Sequence, residues 1–242
     1  DIRGRAVGGF KPMPGRTAYF GCCIAIGAAG IGLVPQMSAL RSEGGFSILL
    51  YIPGRAEFRE EDGSVTAFVT DTAYPAEGAV RVRVETGAPR MFGLGLRIPY
   101  FSGSFSVKVN GEPQRVTLRN GMAVISRTWR SGDIADIELD MSTRLVWGQE
   151  NPDDTQSSSY AAVMHGPVVL ARDARLGETG TVISTGTGKP VFKREQPLFG
   201  ADLQGTVELD GQRLMMTDYA SAGKTWRRSS ETEVWMKTER SR

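Results

Sequence analysis

The sequence predicts a mainly β protein with one helical segment in front of its strands. In residues 79–85 three valines alternate with charged residues, the pattern of a strand with one buried face. The dipeptides Asn110-Gly111 and Asn120-Gly121 favour tight hairpin turns, because both residue types tolerate positive φ. The predicted strands follow one another at short spacing with no helix between them, which indicates antiparallel sandwiches.

Composition supports this fold class and excludes two partners. The 242 residues are 40% hydrophobic and include 30 glycines and 12 prolines, which suits a folded chain with many turns. The net charge is +2 and no basic block stands out, so nucleic acid is not an expected partner. The sequence has no apolar run of the length that crosses a membrane, so no membrane span is expected.

The organisation predicted along the chain is a helical segment followed by two β-sandwich domains. A polar stretch from Gln149 to Ser159 interrupts the strand pattern and is the best candidate for a linker or a long loop. We therefore expect a helical segment over 1–43, a first antiparallel sandwich over 44–148 and a second over 149–242.

The helical segment is rich in small residues and lacks period-two alternation. We expect a helix after the cysteines that ends near residues 32–35, because proline disfavours the helical conformation of the preceding residue, and a further half-turn through residues 36–40. The glycines Gly27, Gly30 and Gly32 indicate close packing against another element, and no such partner is evident later in the chain. A phosphate-binding loop is disfavoured, because no suitable strand precedes these glycines and no Lys-Ser/Thr follows them.

The two cysteines of the chain, Cys22 and Cys23, are neighbours. A disulfide between adjacent residues strains the peptide and closes no useful loop. Two interpretations remain open on chemistry alone. The thiols form a reactive or metal-holding pair, or they are two small buried hydrophobic residues.

Other side chains that could carry chemistry are better explained by packing. His165 is the single histidine, so neither a His/Asp catalytic pair nor a multi-histidine metal site can form, and we expect a packing role. Tryptophans can stack on sugar rings but more often fill sandwich cores, which is the role expected here. The four tryptophans are Trp129, Trp147, Trp226 and Trp235.

Two acidic clusters are expected to be solvated loops. Residues 60–62 form a charged turn before Gly63, and residues 151–154 lack the ligand spacing of a calcium-binding loop.

The order of short motifs along the chain resembles the C-terminal part of the β-L-arabinofuranosidase-type glycoside hydrolases, family 127 and its relatives. The resemblance covers nearly the whole chain, and it rests on the order and spacing of its motifs. These motifs are Tyr19-Phe20-Gly21-Cys22-Cys23, Ile48-Leu49-Leu50-Tyr51-Ile52-Pro53, Tyr74-Pro75, Leu96-Arg97-Ile98-Pro99, Val107-Lys108-Val109-Asn110-Gly111, Ser126-Arg127-Thr128-Trp129-Arg130-Ser131-Gly132-Asp133 and Met164-His165-Gly166-Pro167-Val168-Val169-Leu170-Ala171.

The resemblance implies an (α/α)6 barrel followed by two β-sandwiches, with residues 1–43 as the last segment of that barrel. It also implies a zinc ion held by a glutamate and three cysteines, one of which is the nucleophile. Carried onto this chain, Cys22 is the expected nucleophile and a zinc ligand, and Cys23 is the expected second zinc ligand. The other ligands and the acid/base carboxylate would lie upstream, so the expected partners are the upstream barrel and a carbohydrate substrate, and the chain alone is expected to be inactive.

Two alternatives belong to other functional classes. The chain could be a non-catalytic carbohydrate-binding module, which requires an exposed aromatic platform, or a structural β-sandwich module that packs on a catalytic barrel. A barrel-facing surface on residues 17–40 would also favour association between copies of the chain. The residues are compatible with a cytoplasmic and with an exported protein.

Overall fold

The computed structural model describes residues 21–149, 159–223 and 230–239, with side chains from residue 25 onward. These residues form one helix and twenty strands, so the predicted mainly β class is confirmed. Several features that the sequence singled out lie outside the described residues: residues 1–20 of the helical segment, residues 150–158 of the predicted linker with its acidic stretch 151–154, and Trp226.

Helix α1 spans Gly21–Gln36. In chain order the strands are β1 (Ala39–Ser42), β2 (Gly45–Ile48), β3 (Gly54–Arg59), β4 (Val65–Thr72), β5 (Ala79–Thr86), β6 (Arg90–Arg97), β7 (Phe105–Val109), β8 (Glu112–Pro113), β9 (Thr117–Arg119), β10 (Met122–Trp129), β11 (Ile134–Leu139), β12 (Thr143–Trp147), β13 (Tyr160–His165), β14 (Val168–Asp173), β15 (Ile183–Ser184), β16 (Val191–Arg194), β17 (Gln204–Leu209), β18 (Gln212–Asp218), β19 (Thr232–Glu233) and β20 (Met236–Glu239).

The chain divides into two compact units. Unit 1 comprises the residues up to 72 together with 80–98 and 106–137, and unit 2 comprises 73–79, 99–105 and the residues from 138 onward. The domain boundaries expected from the sequence stay a prediction.

Unit 1 is built on two sheets. One has the strand order β1-β2-β6-β10-β9 and the other the order β3-β4-β5-β11-β7-β8. Strands β3, β4 and β5 pair antiparallel, as do β6 and β10, which agrees with the prediction, whereas β2 runs parallel to β6. Aromatic side chains of the two sheets contact one another, which makes unit 1 a sandwich with its core between the sheets.

The alternation that predicted β5 corresponds to its two faces. Val80, Val82 and Val84 are buried, and the charged residues between them are exposed. On the exposed face, Arg81 of β5 donates a hydrogen bond to Asp136 of β11, with 2.7 Å between Nε and Oδ1. Each strand register is thereby held by burial on one face, since a slip of one residue would expose the valines.

The two Asn-Gly turns occur where the sequence predicts them. Asn110 and Gly111, between β7 and β8, have φ values of 52° and 86°. Asn120 and Gly121, between β9 and β10, have φ values of 49° and 73°. All four lie in the left-handed region that asparagine and glycine tolerate, which confirms the hairpins.

Unit 2 contains a nine-stranded sheet in which β13 has three partners. It pairs with β12 along its length and with β14 and β20 at its two ends. One pair, β15 with β20, is parallel. The apolar core of the unit consists of Val163, Leu170, Ile183, Leu203, Val207, Leu209, Leu214, Met216 and Met236.

The structure corrects the predicted boundaries around the helix. The helix continues through Pro35, and Ser38 caps its end by donating its hydroxyl to the Pro35 carbonyl oxygen at 2.7 Å. Pro35 has no N–H to donate to the carbonyl oxygen of Ile31, so the helix lacks one hydrogen bond in its last turn. The predicted half-turn over residues 36–40 is wrong, because β1 already begins at Ala39.

Strand β3 was not predicted from the sequence. Its residues Arg55, Glu57 and Arg59 alternate with Ala56 and Phe58, but the strand follows Pro53-Gly54 and lies at an edge of its sheet. Edge strands carry many charged side chains, and this composition concealed the alternation.

We expect Trp129→Ala to lower the free energy of unfolding by about 3–5 kcal/mol, because the side chain is fully buried. Its ring stacks on Phe92, and Nε1 donates to the Phe92 carbonyl oxygen at 3.1 Å. Urea unfolding followed by circular dichroism measures the loss. The control Tyr100→Ala removes a side chain that is 91% exposed and should cost less than about 0.5 kcal/mol. Equal losses in the two variants would contradict a core role for Trp129.

Candidate functional site

Cys22 and Cys23 lie in the first described turn of α1, and their side chains are outside the described part of the structure. In a helix, a residue lies on the same side as the residues three and four positions later in the chain. For the cysteine pair these are Ala25, Ile26 and Gly27, none of which can bind a metal. The next turns of α1 therefore supply no further ligand, and among the described residues no group of three or more His, Cys, Asp or Glu converges.

The surface of α1 is apolar and exposed. Residues 25–36 are all exposed, and Ile26 and Ile31 remain 72% and 75% accessible. The space in which a Cβ atom of Gly27, Gly30 or Gly32 would lie is open, with no atom within 4 Å. The close packing predicted for these glycines is therefore not made by the described part of the chain. The helix presents a bare apolar surface next to the cysteine pair.

Two surface cavities of unit 1 lack paired catalytic groups. One, of about 160 Å³, lies between the end of α1 and β2 and has mainly apolar walls that include Pro35, Ile48 and Ile52. The other is an open groove lined by Arg55, Arg83 and Glu85, and Glu85 forms ion pairs with both arginines. These charged side chains therefore pair with one another on the surface of the sheet.

His165 has the packing role expected of it. Its Nδ1 lies 3.1 Å from the Thr143 hydroxyl, and its ring centroid lies 4.8 Å from that of Phe192. Burial lowers the pKa of His165, and the positive charge of Arg194 lowers it further. The imidazole is therefore held neutral within unit 2.

The described tryptophans divide between core and surface. Trp129 is fully buried, as predicted for a sandwich core. Trp147 and Trp235 remain 38% and 49% exposed, so the core role expected of them is wrong. Nothing in the sequence around these residues distinguishes the two environments, because each tryptophan follows β-rich residues.

Glu60 corrects the expectation of a fully solvated acidic turn. Glu61 and Asp62 are exposed, but the Glu60 side chain is only 2% exposed. Its Oε2 lies 2.9 Å from Nη1 of Arg41 and 3.2 Å from Nη2 of Arg90. Two guanidinium groups compensate the buried charge, and long-range strand order brings them there.

Part of unit 1 is similar to a known protein family. The family model for the middle domain of GH127 β-L-arabinofuranosidases matches residues 45–141. No curated protein sequence matches the chain. The matched residues include most of the sandwich of unit 1, and α1 lies before them in the chain.

Solved structures reproduce the fold over most of the chain. The GH127 β-L-arabinofuranosidase from Geobacillus stearothermophilus T6 is 20% identical, with a TM-score of 0.72 over 90% of this chain and 37% of that one. A protein described as a glycoside hydrolase is 24% identical, with a TM-score of 0.74 over 90% and 40%. A further GH127 β-arabinofuranosidase is 20% identical, with a TM-score of 0.72 over 90% and 38%.

These findings show that residues 45–141 are similar to the middle domain of GH127 β-L-arabinofuranosidases and that most of the chain shares its fold with the solved structures. The chain carries a GH127 β-L-arabinofuranosidase-like middle domain at residues 45–141. It spans less than half the length of the similar solved proteins. Among the described residues, no helix combines the length and apolar character needed to cross a membrane.

We expect the stability of the protein to fall as the pH drops below about 6.5, the ordinary pKa of histidine, because the folded state keeps His165 neutral. In that range the unfolded chain binds the proton more readily than the folded one, so acid favours unfolding. Urea unfolding at pH 7 and pH 5 measures the change. His165→Gln cannot titrate and should lose less stability between the two pH values than the wild type. Identical losses would contradict this role of His165.

Proposed function

We propose that this chain is the part of a GH127-type glycoside hydrolase that packs on a helical catalytic barrel and contributes Cys22 to its active site. The middle-domain match at residues 45–141 supports the enzyme class. The bare apolar surface of α1, next to the cysteine pair, is the observation that carries the proposal.

Helix α1 behaves as one element of a larger helical assembly. A helix that is apolar on all sides normally lies in the interior of a protein. The exposed residues Ile26, Ile31 and Leu33 would each gain roughly 1.5–3 kcal/mol on full burial, so a partner surface is strongly favoured. The open space at Gly27 and Gly30 allows that partner to approach the helix backbone closely. Further helices of a barrel meet all these requirements.

The β units then have a structural role that is compatible with catalysis. Each unit has its own buried core, and the charged residues of unit 1 pair with one another on its surface. Such units can steady a barrel whose last helix is α1.

The adjacent thiols fit zinc as donors but form an incomplete set. Thiolate sulfur is a preferred zinc ligand, and structural and catalytic zinc sites use at least three protein ligands. Cys22 and Cys23 would hold the ion together with a glutamate and a cysteine from the barrel. Bound zinc would favour the thiolate form of Cys22 at neutral pH.

The proposed reaction is a double displacement at the anomeric carbon. The Cys22 thiolate attacks that carbon, forming a C–S bond, while a carboxylic acid of the barrel protonates the departing glycosidic oxygen. The resulting carboxylate then takes a proton from water, and the water oxygen displaces the Cys22 sulfur. The sugar leaves with its anomeric configuration retained, and the thiolate and the carboxylic acid are restored.

We expect the chain by itself to bind zinc weakly and to hydrolyse no aryl β-L-arabinofuranoside, because two thiolates are an incomplete ligand set. Metal analysis after dialysis and release of the aryl group measure the two properties. Fusing the helical barrel of a GH127 enzyme upstream of residue 1 should restore both. In that fusion Cys22→Ser should abolish turnover, whereas Ser38→Ala at the far end of α1 should not.

Turnover by the chain alone that disappears in Cys22→Ser would contradict the requirement for a barrel. A barrel fusion that hydrolyses the substrate equally well with Ser at position 22 would contradict the role of the cysteine.

We expect the isolated chain to self-associate through α1, because burial between copies substitutes for the barrel. Light scattering during size exclusion measures the mass as concentration increases. Ile31→Lys should shift the chain toward the monomer without lowering the melting temperature of the β units. Met91→Lys is the control, because Met91 is similarly exposed but lies on β6. Equal effects of the two variants would contradict association through α1.

A further inference from the structure

The exposed side of β20 carries side chains of an unusual combination. Burial alternates along this segment, with Met236 and Thr238 buried and Trp235, Lys237 and Glu239 exposed. Alternate residues of a strand share a face. Lys237 and Glu239 therefore share one face of β20, and the exposed Trp235 lies in the bend directly before the strand. The three residues span at most about 13 Å of chain at roughly 3.3 Å per residue.

Neighbouring strands of unit 2 extend this face sideways. Tyr160 of β13 is paired with Lys237, and Ser184 of β15 is paired with Glu239. Paired residues of adjacent strands lie on the same face, so both side chains join the row. We call the set Tyr160, Ser184, Trp235, Lys237 and Glu239 the outer strip.

The backbone beneath the outer strip is firmly held. On the opposite face Ala161 and Met236 are paired and fully buried. The Thr238 hydroxyl is also turned inward and donates to the carbonyl oxygen of Ser159 at 2.9 Å. Rigid support of this kind lets exposed side chains bind a ligand without ordering the backbone first.

The charges of the outer strip are uncompensated. Within the described ranges, neither the Lys237 ammonium nor the Glu239 carboxylate takes part in an ion pair. On the exposed face of unit 1, by contrast, charged residues pair across strands, as Arg55 does with Glu85 at 3.1 Å. The strip thus keeps hydrogen-bond donors and acceptors available next to its aromatic end.

We propose that the outer strip binds a neutral oligosaccharide chain. The Trp235 ring offers an apolar plane for the C–H face of a sugar, and the Tyr160 ring lies on the adjacent strand. Lys237 donates hydrogen bonds to sugar hydroxyl groups, and Glu239 and Ser184 accept them.

Other classes of ligand fit the strip poorly. A protein partner requires an apolar interface core depleted of charge, and here the exposed tryptophan is followed by a lysine and a glutamate. Nucleic acids and anionic membranes require an excess of positive charge, and the charges of Lys237 and Glu239 cancel. A polyhydroxylated, uncharged ligand matches both the aromatic plane and the mixed polar groups.

The test is a binding measurement with the full chain on soluble arabinan, arabinoxylan and mixed-linkage glucan, by affinity electrophoresis and calorimetry. At least one of these polymers should bind the wild type. Trp235→Ala should weaken that binding by about tenfold or more, and Trp235→Tyr by about threefold, because a smaller ring remains. Tyr100→Ala is the matched control, an exposed aromatic residue of unit 2 outside the strip, and should bind like the wild type.

Melting temperatures establish whether each variant is folded. If Trp235→Ala does not fold, the double variant Lys237→Gln/Glu239→Gln replaces it and should also weaken binding. The proposal is wrong if the wild type binds none of the polymers, if both strip variants bind as well as the wild type, or if Tyr100→Ala loses as much affinity. Stronger retention by DNA or by anionic phosphatidylserine vesicles would also overturn it.

The choice of arabinose-containing polymers rests on the proposed function, whereas the chemistry of the strip does not. Cys22→Ser should leave polymer binding unchanged, and Trp235→Ala should leave the zinc content of the barrel fusion unchanged. Failure of one proposal is therefore visible without failure of the other.

Discussion

The sandwich of unit 1, which includes most of residues 45–141, depends on aromatic packing between its two sheets. Phe46 contacts Phe58 and Phe68 across the sandwich, with ring centroids 4.9 and 5.1 Å apart. Phe92 links this cluster to the buried Trp129. These rings come from five strands of both sheets, so a slip of one residue in any of them would remove a ring from the core. The pairing of the strands and the position of the turns follow from this requirement.

Helix α1 shows the opposite situation, because its apolar residues are not covered by the part of the chain that the structure describes. Ile26 and Ile31 project from a helix whose glycines leave room for a close neighbour. The cysteine pair lies in the same helix, so the need for a hydrophobic partner and the need for further metal ligands arise together. One additional helical assembly satisfies both, which is the physical link between fold and proposed catalysis.

The two proposals assign support of a barrel and recognition of a carbohydrate to the β units. On the surface of unit 1, charged side chains form ion pairs across strands, such as Arg81 with Asp136. Unit 2 instead leaves Trp235 exposed beside unpaired polar groups. An enzyme that acts on polymers gains from a site that holds the chain, because binding at one site raises the local concentration at another. The two proposals therefore describe complementary functions of one polypeptide.

By itself the sequence determined the β class, the alternation of β5 and the Asn-Gly turns, because short-range patterns and local backbone preferences encode these features. The adjacency of Cys22 and Cys23 drew attention to the pair, and the resemblance to the GH127 motifs made it the candidate site. Only the tertiary structure decided that Glu60 is buried between two arginines and that Trp235 is exposed while Trp129 is not. Burial depends on which distant strands become neighbours, and a single strand carries no record of that pairing.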